Sequence, residues 1–118
     1  MSYLPRETDM APPFAVVVST DEVNRGPVLI TAAGEVDMAT APQLQEAIVA
    51  QVDGKRVDVV VDLAAVTFLD SSGIAALIRA RRRVGELGGT LTLRNPEPRV
   101  RKTLHLTGVD QVFVIEAG

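Results

Sequence analysis

Two adjacent hydroxyl side chains stand between an aspartate and a glycine in the sequence Asp70-Ser71-Ser72-Gly73. A serine hydroxyl can act as a nucleophile, can accept a phosphate group, or can accept a hydrogen bond from the free N–H groups at a helix start. Capping of this kind stabilises a helix by about 1 kcal/mol and is the commonest of these roles. One serine can cap in one state and carry a phosphate in another, so the motif alone leaves both roles open.

The segments on either side of this motif predict how it is presented. Residues 57–61 are nearly all valine, which is typical of a buried strand in an α/β sheet. After Gly73 the apolar residues recur at helical spacing and the charged residues fall on the opposite face. The apolar stripe is Ile74, Leu77, Ile78, Val84 and Leu87, and the charged face is Arg79, Arg82, Arg83 and Glu86. We expect the helix to begin within a residue of Ser72, which places Ser71 at or before the N-cap, in a loop at the carboxyl end of a strand.

A hydrolase needs more than these residue types. Ser71, Asp70 and His105 could supply a nucleophilic triad, but no G-x-S-x-G turn surrounds the serine and the aspartate is its immediate neighbour. His105 lies beside basic residues near a predicted helix C-terminus, where cations suit the helix dipole. No glycine-rich phosphate loop with a lysine is present either. The sequence therefore predicts a protein that is not an enzyme.

The rest of the chain predicts an α/β fold. Residues 14–19 and 28–33 are strand-like and are joined by a turn, and Thr40 begins a capping box for a helix that Gly54 ends. That helix buries Leu44, Ala47, Ile48 and Val52. Residues 90–94 form a strand, Asn95 caps a third helix with Pro96 in its first position and Gly108 at its end, and residues 111–115 form a last strand. The order β-β-α-β-α-β-α-β implies a mixed, mostly parallel β-sheet with right-handed crossovers, layered with helices.

The amino-acid composition argues against several classes of function. The 118 residues, 47% of them hydrophobic, suffice for a single domain, which we place at residues 14–118 behind a flexible N-terminal tail at 1–13. Without cysteine and with one histidine, neither a metal site nor a cofactor is expected. A net charge of -3 argues against nucleic-acid binding. No apolar run is long enough to span a bilayer and no signal peptide is recognisable, so a cytoplasmic protein without membrane insertion is expected.

Three motifs together carry a family resemblance. The turn Leu69-Asp70-Ser71-Ser72-Gly73-Ile74 follows the hydrophobic Val66-Thr67-Phe68, and Gly34-Glu35-Val36-Asp37 follows the second predicted strand. A proline-led helix runs from Asn95-Pro96-Glu97-Pro98 to Leu106-Thr107-Gly108-Val109. In this order and spacing the chain resembles, over residues 14–115, the STAS family (sulfate transporter and anti-sigma factor antagonist domains), and within it the bacterial anti-sigma factor antagonists.

The resemblance implies a single STAS-like domain that switches transcription. It implies that the unmodified form binds an anti-sigma factor of serine-kinase type and so frees a sigma factor. It also implies that this kinase phosphorylates Ser71 with ATP and Mg²⁺, and that a phosphatase reverses the modification. Partner-binding residues are expected to be Asp37, Asp70, Ser71, Ser72, Gly73 and Arg79. Loop chemistry alone makes Asp37 equally well a turn residue. Helical spacing favours Arg79 as part of a solvated face on which Glu86 pairs with Arg82 or Arg83, over a contact with an acidic partner surface. The expected assembly is a monomer or weak dimer.

A second function is open to the same family. The chain could be a STAS module that senses a nucleotide or small molecule, or a subunit of a stressosome or of a lipid-transport complex. The partner captured by an unbiased pull-down would distinguish these functions.

Overall fold

The computed structural model describes residues 14–20, 26–53 and 58–117. In these ranges the chain forms β1 (Ala15–Ser19), β2 (Val28–Val36), α1 (Ala41–Asp53), β3 (Asp58–Leu69), α2 (Ser71–Glu86), β4 (Thr90–Arg94), α3 (Pro98–Leu106), a 3₁₀ turn (Val109–Gln111) and β5 (Val114–Glu116). The element order is the predicted one. The predicted tail at 1–13, the tip of the first turn and the helix stop at Gly54 lie outside the described residues.

The strands form one sheet in the order β1-β2-β3-β4-β5. β1 pairs antiparallel with β2, and each later neighbour pairs in parallel. The predicted mixed, mostly parallel sheet is confirmed. At its carboxyl edge Val36 of β2 pairs with Leu69 of β3. The residues that follow these two, Asp37 and Asp70, therefore leave the sheet side by side.

Strand β3 extends beyond its valine-rich start to Leu69 and contains two irregularities in its pairing with β2. One extra residue lies between Asp62 and Ala65, and another between Val66 and Phe68, relative to β2. At the first of these the Asp62 carboxylate accepts a hydrogen bond from the Ala64 N–H at 2.8 Å. Such bulges interrupt the alternation of inward and outward side chains. As a result Thr67 and Phe68 are both exposed between the buried Val66 and Leu69, and Phe68 is 47% exposed.

The core lies between the sheet and the helices, and α1 and α2 pack against each other. On α1 the predicted Leu44, Ile48 and Val52 are buried, whereas Ala47 is half-buried. The predicted stripe on α2 was partly wrong, since Ile78 and Leu87 are 38% and 40% exposed. The buried face of α2 is instead Gly73, Ile74, Ala76, Leu77, Ala80 and Val84. With the helix turned so that these residues face the core, Ile78 lies at the side of the buried face and is partly open to solvent.

The start of α3 and the position of β5 also differ from prediction. Glu97, not Asn95, is the N-cap of α3, and its Oε1 accepts hydrogen bonds from the N–H groups of Arg99 at 3.1 Å and Val100 at 3.3 Å. Pro98 takes the first helical position that Pro96 was expected to take. Gly108, with φ of 75°, follows the helix end as expected. Residues 109–111 form the 3₁₀ turn, so β5 is shorter and later than predicted.

Candidate functional site

Asp70 caps helix α2 and leaves the neighbouring serines free of that role. Its Oδ1 accepts hydrogen bonds from the N–H groups of Ser72 at 2.8 Å and Gly73 at 3.1 Å, and its carbonyl oxygen accepts one from Ile74 N–H at 3.0 Å. Its backbone is extended, with φ of -99° and ψ of -172°, as an N-cap requires. The common capping role of a serine is thus filled here by the aspartate before it.

Ser71 is the first residue of α2, which corrects the expectation that it lies at or before the N-cap. The helix starts one residue earlier than expected because Asp70 supplies the cap. Ser71 is nevertheless exposed, whereas Ser72 is only half-exposed and Gly73 is buried. Of the two hydroxyl-bearing residues, Ser71 is the more accessible to a modifying enzyme.

Gly73 fixes the start of α2 against the ends of two strands. A Cβ at this position would collide with Leu69 Cδ1 and would lie 2.8 Å from Val36 Cγ1. The Asp70 N–H also donates to the carbonyl oxygen of Val36 at 3.2 Å. The absence of a side chain at Gly73 therefore allows the close approach that places Ser71 at the carboxyl edge of the sheet. Gly73 itself presents no side chain to a partner.

Asp37 organises the turn between β2 and α1. Its Oδ1 accepts hydrogen bonds from the N–H groups of Ala39 at 2.9 Å and Thr40 at 3.1 Å. The Thr40 hydroxyl donates to the Glu35 carbonyl oxygen at 2.8 Å and accepts from the Asp37 N–H at 2.9 Å. The predicted capping box was wrong in this respect, because the Thr40 hydroxyl points back toward β2. The tight turn presents Met38, which is 80% exposed.

An open depression of about 330 Å³ joins these elements. It is lined by Met38, Ala41, Pro42, Gln45, Ser71, Ser72, Ala75, Ala76 and Arg79. The structure thus brings together three of the predicted residues, Ser71, Ser72 and Arg79, while Asp37 and Asp70 hold the turns from which the surface is built. Sequence reasoning missed Met38. The signal was an apolar side chain inside a polar turn, which is open to solvent unless a partner covers it.

The other charged groups considered from the sequence are engaged elsewhere. His105 Nδ1 lies 2.8 Å from Asp110 Oδ2, between α3 and the 3₁₀ turn. Since Asp70 holds the N–H groups of α2, a relay from Asp70 through His105 to Ser71 is not formed. Arg83, and not Arg82, makes an exposed pair with Glu86 at 3.4 Å. In the described ranges no cluster of three metal-ligating side chains occurs, and no helix there is long and apolar enough to cross a bilayer.

Comparison with known proteins gives the family to which this fold and turn belong. Residues 18–117 match the STAS domain model, so the chain belongs to the STAS domain family. It is 31% identical over 111 residues to the anti-sigma-F factor antagonist RsfB of Mycobacterium tuberculosis, covering 88% of this chain and 84% of the relative. The chain is therefore a member of the group whose relatives are named anti-sigma factor antagonists, and this confirms the resemblance. The prediction that the chain is not an enzyme is consistent with this membership.

Solved structures agree with this assignment. The crystal structure of an anti-sigma factor antagonist from Mycobacterium paratuberculosis superimposes with a TM-score of 0.76 at 33% identity, covering 88% of this chain and 86% of that one. The phosphorylated form of the Bacillus cell fate determinant SpoIIAA superimposes with a TM-score of 0.64 over 90% of this chain and 92% of its own, at 23% identity. At that identity the second likeness concerns the fold alone.

Proposed function

We propose that this chain is a cytoplasmic anti-sigma factor antagonist whose unmodified form binds an anti-sigma factor and so releases a sigma factor. In this proposal the anti-sigma factor is a serine kinase, phosphorylation of Ser71 ends the binding, and a phosphatase restores it. The observation that carries the proposal is the exposure of Ser71 at the rim of the depression while Asp70 alone caps the helix.

Charge explains how a phosphate on Ser71 would act. It adds about -1.5 to -2 charges at pH 7. The N–H groups of Ser72 and Gly73, which would otherwise bind an anion at the helix start, already donate to Asp70. The phosphate therefore meets a carboxylate in place of these donors, and the helix dipole favours it by only about 0.3 to 2 kcal/mol. A partner that covers this surface must desolvate both anions, and the free energy of that desolvation exceeds the stabilisation from the helix dipole.

The surface around Ser71 suits a protein partner. Met38 offers an exposed, flexible apolar side chain, and Ala75 adds a small half-buried one. Arg79 lies eight residues beyond Ser71, about 12 Å along the helix axis, and lines the same depression. An apolar patch between a hydroxyl and a cation can contact a partner closely while Ser71 is unmodified. Met38 and Arg79 are thus proposed contacts beside the phosphorylation site.

The decisive experiment compares negative charge at two exposed serines. A pull-down with the full chain identifies the partner, and calorimetric titration then measures its affinity for Ser71→Ala, Ser71→Glu and Ser19→Glu. Ser19 lies exposed on β1, two strands from β3. The Ser19→Glu variant therefore adds the same negative charge as Ser71→Glu, but away from the depression. Ser71→Glu is expected to lose about 2 to 4 kcal/mol, or about 30- to 1,000-fold in affinity. Ser71→Ala and Ser19→Glu are expected to bind as the wild type does.

Two results would contradict the proposal. Equal affinity of Ser71→Glu and wild type would exclude the charge switch. Recovery of membrane transporter subunits or of a stressosome assembly, in place of a kinase-like anti-sigma factor, would favour the alternative family functions.

A further inference from the structure

A second groove lies at the other end of α2 and belongs to none of the site residues above. It has a volume of about 360 Å³. Its lining comes from α2, from the turn into β4 and from the residues around the start of β5, namely Arg81, Arg82, Gly85, Gly89, Thr90, Leu91, Val112 and Val114. Gly85 stands fourteen residues beyond Ser71, about 21 Å along the helix axis, so the two surfaces are separate.

The groove combines two cations with exposed aliphatic side chains. The Arg81 guanidinium lies 5.8 Å from the centroid of the Phe113 ring, which holds it across the gap between α2 and the start of β5. Arg82 lines the same groove, and no acidic side chain is among the lining residues. Val112 and Val114 are 48% and 64% exposed. The surface is therefore positive on the helix side and apolar on the strand side.

Gly85 lines this groove without a side chain, and the fold does not require glycine at this position. A Cβ at this position would have no atom within 4 Å, and Gly85 is not among the positive-φ glycines. Glycine inside a helix is less stable than alanine because it loses more backbone freedom on folding. Neither packing nor backbone conformation explains this glycine, whereas an occupant that approaches the helix backbone would.

We propose that this groove binds an extended acidic segment of a partner protein, whose carboxylates pair with Arg81 and Arg82 while an aliphatic side chain packs on Val112 and Val114 above Gly85. Charge complementarity identifies the occupant, since the lining has two arginines and no acidic residue, while the nearby Asp58 carboxylate accepts hydrogen bonds from the Thr90 hydroxyl at 2.9 Å and the Thr90 N–H at 3.2 Å. The exposed valines favour a protein segment over nucleic acid, as does the chain's net charge of -3. Because the groove is far from Ser71, binding there is independent of the Ser71 switch.

Selection from a displayed library of random decapeptides on the full chain tests the proposal. The selected peptides are expected to be rich in Asp and Glu with at least one Leu, Ile or Val. In ¹⁵N-labelled protein they are expected to shift amide signals of the groove. The double variant Arg81→Gln/Arg82→Gln should weaken their binding by up to about 25-fold, since each exposed ion pair accounts for up to about fivefold. Arg101→Gln, which removes an exposed arginine of α3 outside the groove, should leave binding unchanged.

A variant that fills the groove separates binding from folding. Gly85→Gln places a side chain where nothing lies within 4 Å, so the protein should fold with a melting temperature at least as high as wild type while peptide binding is lost. Ser71→Glu should leave peptide binding intact, so failure of the Ser71 switch and failure of this proposal give different results. The proposal is overturned if the selected peptides lack acidic residues, if their signals map elsewhere, or if they bind Gly85→Gln as tightly as wild type.

Discussion

The same substitution at two glycines of α2 should have opposite effects on stability. Gly73 is buried at the helix start, and an added methyl group would collide with Leu69 Cδ1 and lie 2.8 Å from Val36 Cγ1 and 3.2 Å from the Val36 carbonyl oxygen. Leu69 and Val36 are themselves buried at the ends of β3 and β2, so they cannot give way without moving the strands. At Gly85 the same methyl group meets nothing within 4 Å.

The expected magnitudes follow from these contacts. Overpacking a well-filled core lowers the free energy of unfolding by about 1 to 3 kcal/mol. Replacing glycine by alanine in a helix raises it by about 0.5 to 1 kcal/mol. Gly73→Ala should therefore lose up to about 2.5 kcal/mol of unfolding free energy. Gly85→Ala should gain up to about 1 kcal/mol. With an unfolding entropy of about 0.25 kcal/mol/K for a chain of this length, these values correspond to a fall of up to about 10 °C and a rise of up to about 4 °C.

Differential scanning calorimetry on wild type, Gly73→Ala and Gly85→Ala measures both effects, and urea unfolding checks the free energies. Gly85→Ala is the matched control, because it carries the same change in the same helix without the contact. If Gly73→Ala melts at or above the temperature of Gly85→Ala, the close approach of α2 to the strand ends is not what fixes glycine at position 73.

Three further experiments test the site. Asp70→Ala should lose about 1 kcal/mol in urea unfolding because two N–H groups lose their acceptor, while Asp70→Asn should lose less; equal losses would argue against the cap. With the partner kinase and labelled ATP, Ser72→Ala should be labelled and Ser71→Ala should not; label on Ser71→Ala that maps to Ser72 would reassign the acceptor. Met38→Ser should weaken partner binding by about 1 to 2 kcal/mol with an unchanged melting temperature, since Met38 is 80% exposed; unchanged affinity would place it outside the interface.

Local sequence signals predicted the element order but not every boundary. The valine run and the change of period after Gly73 located β3 and α2, because both depend on short-range alternation of apolar residues. The start of α3 was wrong because two proline-containing starts follow one another. Asn95 has a φ of 57°, outside the extended backbone that an N-cap requires, and its N–H donates to the Glu116 carbonyl oxygen at 2.7 Å, which extends the contact between β4 and β5. The conformation of Asn95 thus involves a contact with a residue 21 positions away, and local sequence propensity carries no information about that contact.

The chemical groups of the site could be predicted from the sequence, whereas the exposure of the apolar side chains around it could not. The turn at residues 70–73 and the acidic residue after β2 were found from the sequence, but the role of Met38 depends on how Asp37 and Thr40 close their turn. Likewise Ile78 satisfied the helical period but lies outward, because the closest packing of α2 uses the alanines at 76 and 80. Exposure of these two apolar side chains is set by tertiary packing, which a helical period alone does not specify.

The cap that frees the Ser71 hydroxyl also makes a phosphate there effective without a change of shape. Asp70 already satisfies the N–H groups of Ser72 and Gly73, so a phosphate on Ser71 neither needs to rebuild the helix start nor gains new backbone donors by doing so. We therefore expect ¹H–¹⁵N spectra of the phosphorylated and unmodified chain to differ at the start of α2 and in the turn around Met38, and to coincide in β4, α3 and β5. Shifts spread through the sheet would mean that phosphorylation acts by remodelling the fold. Shifts confined to the depression would leave charge on a preformed surface as the switch.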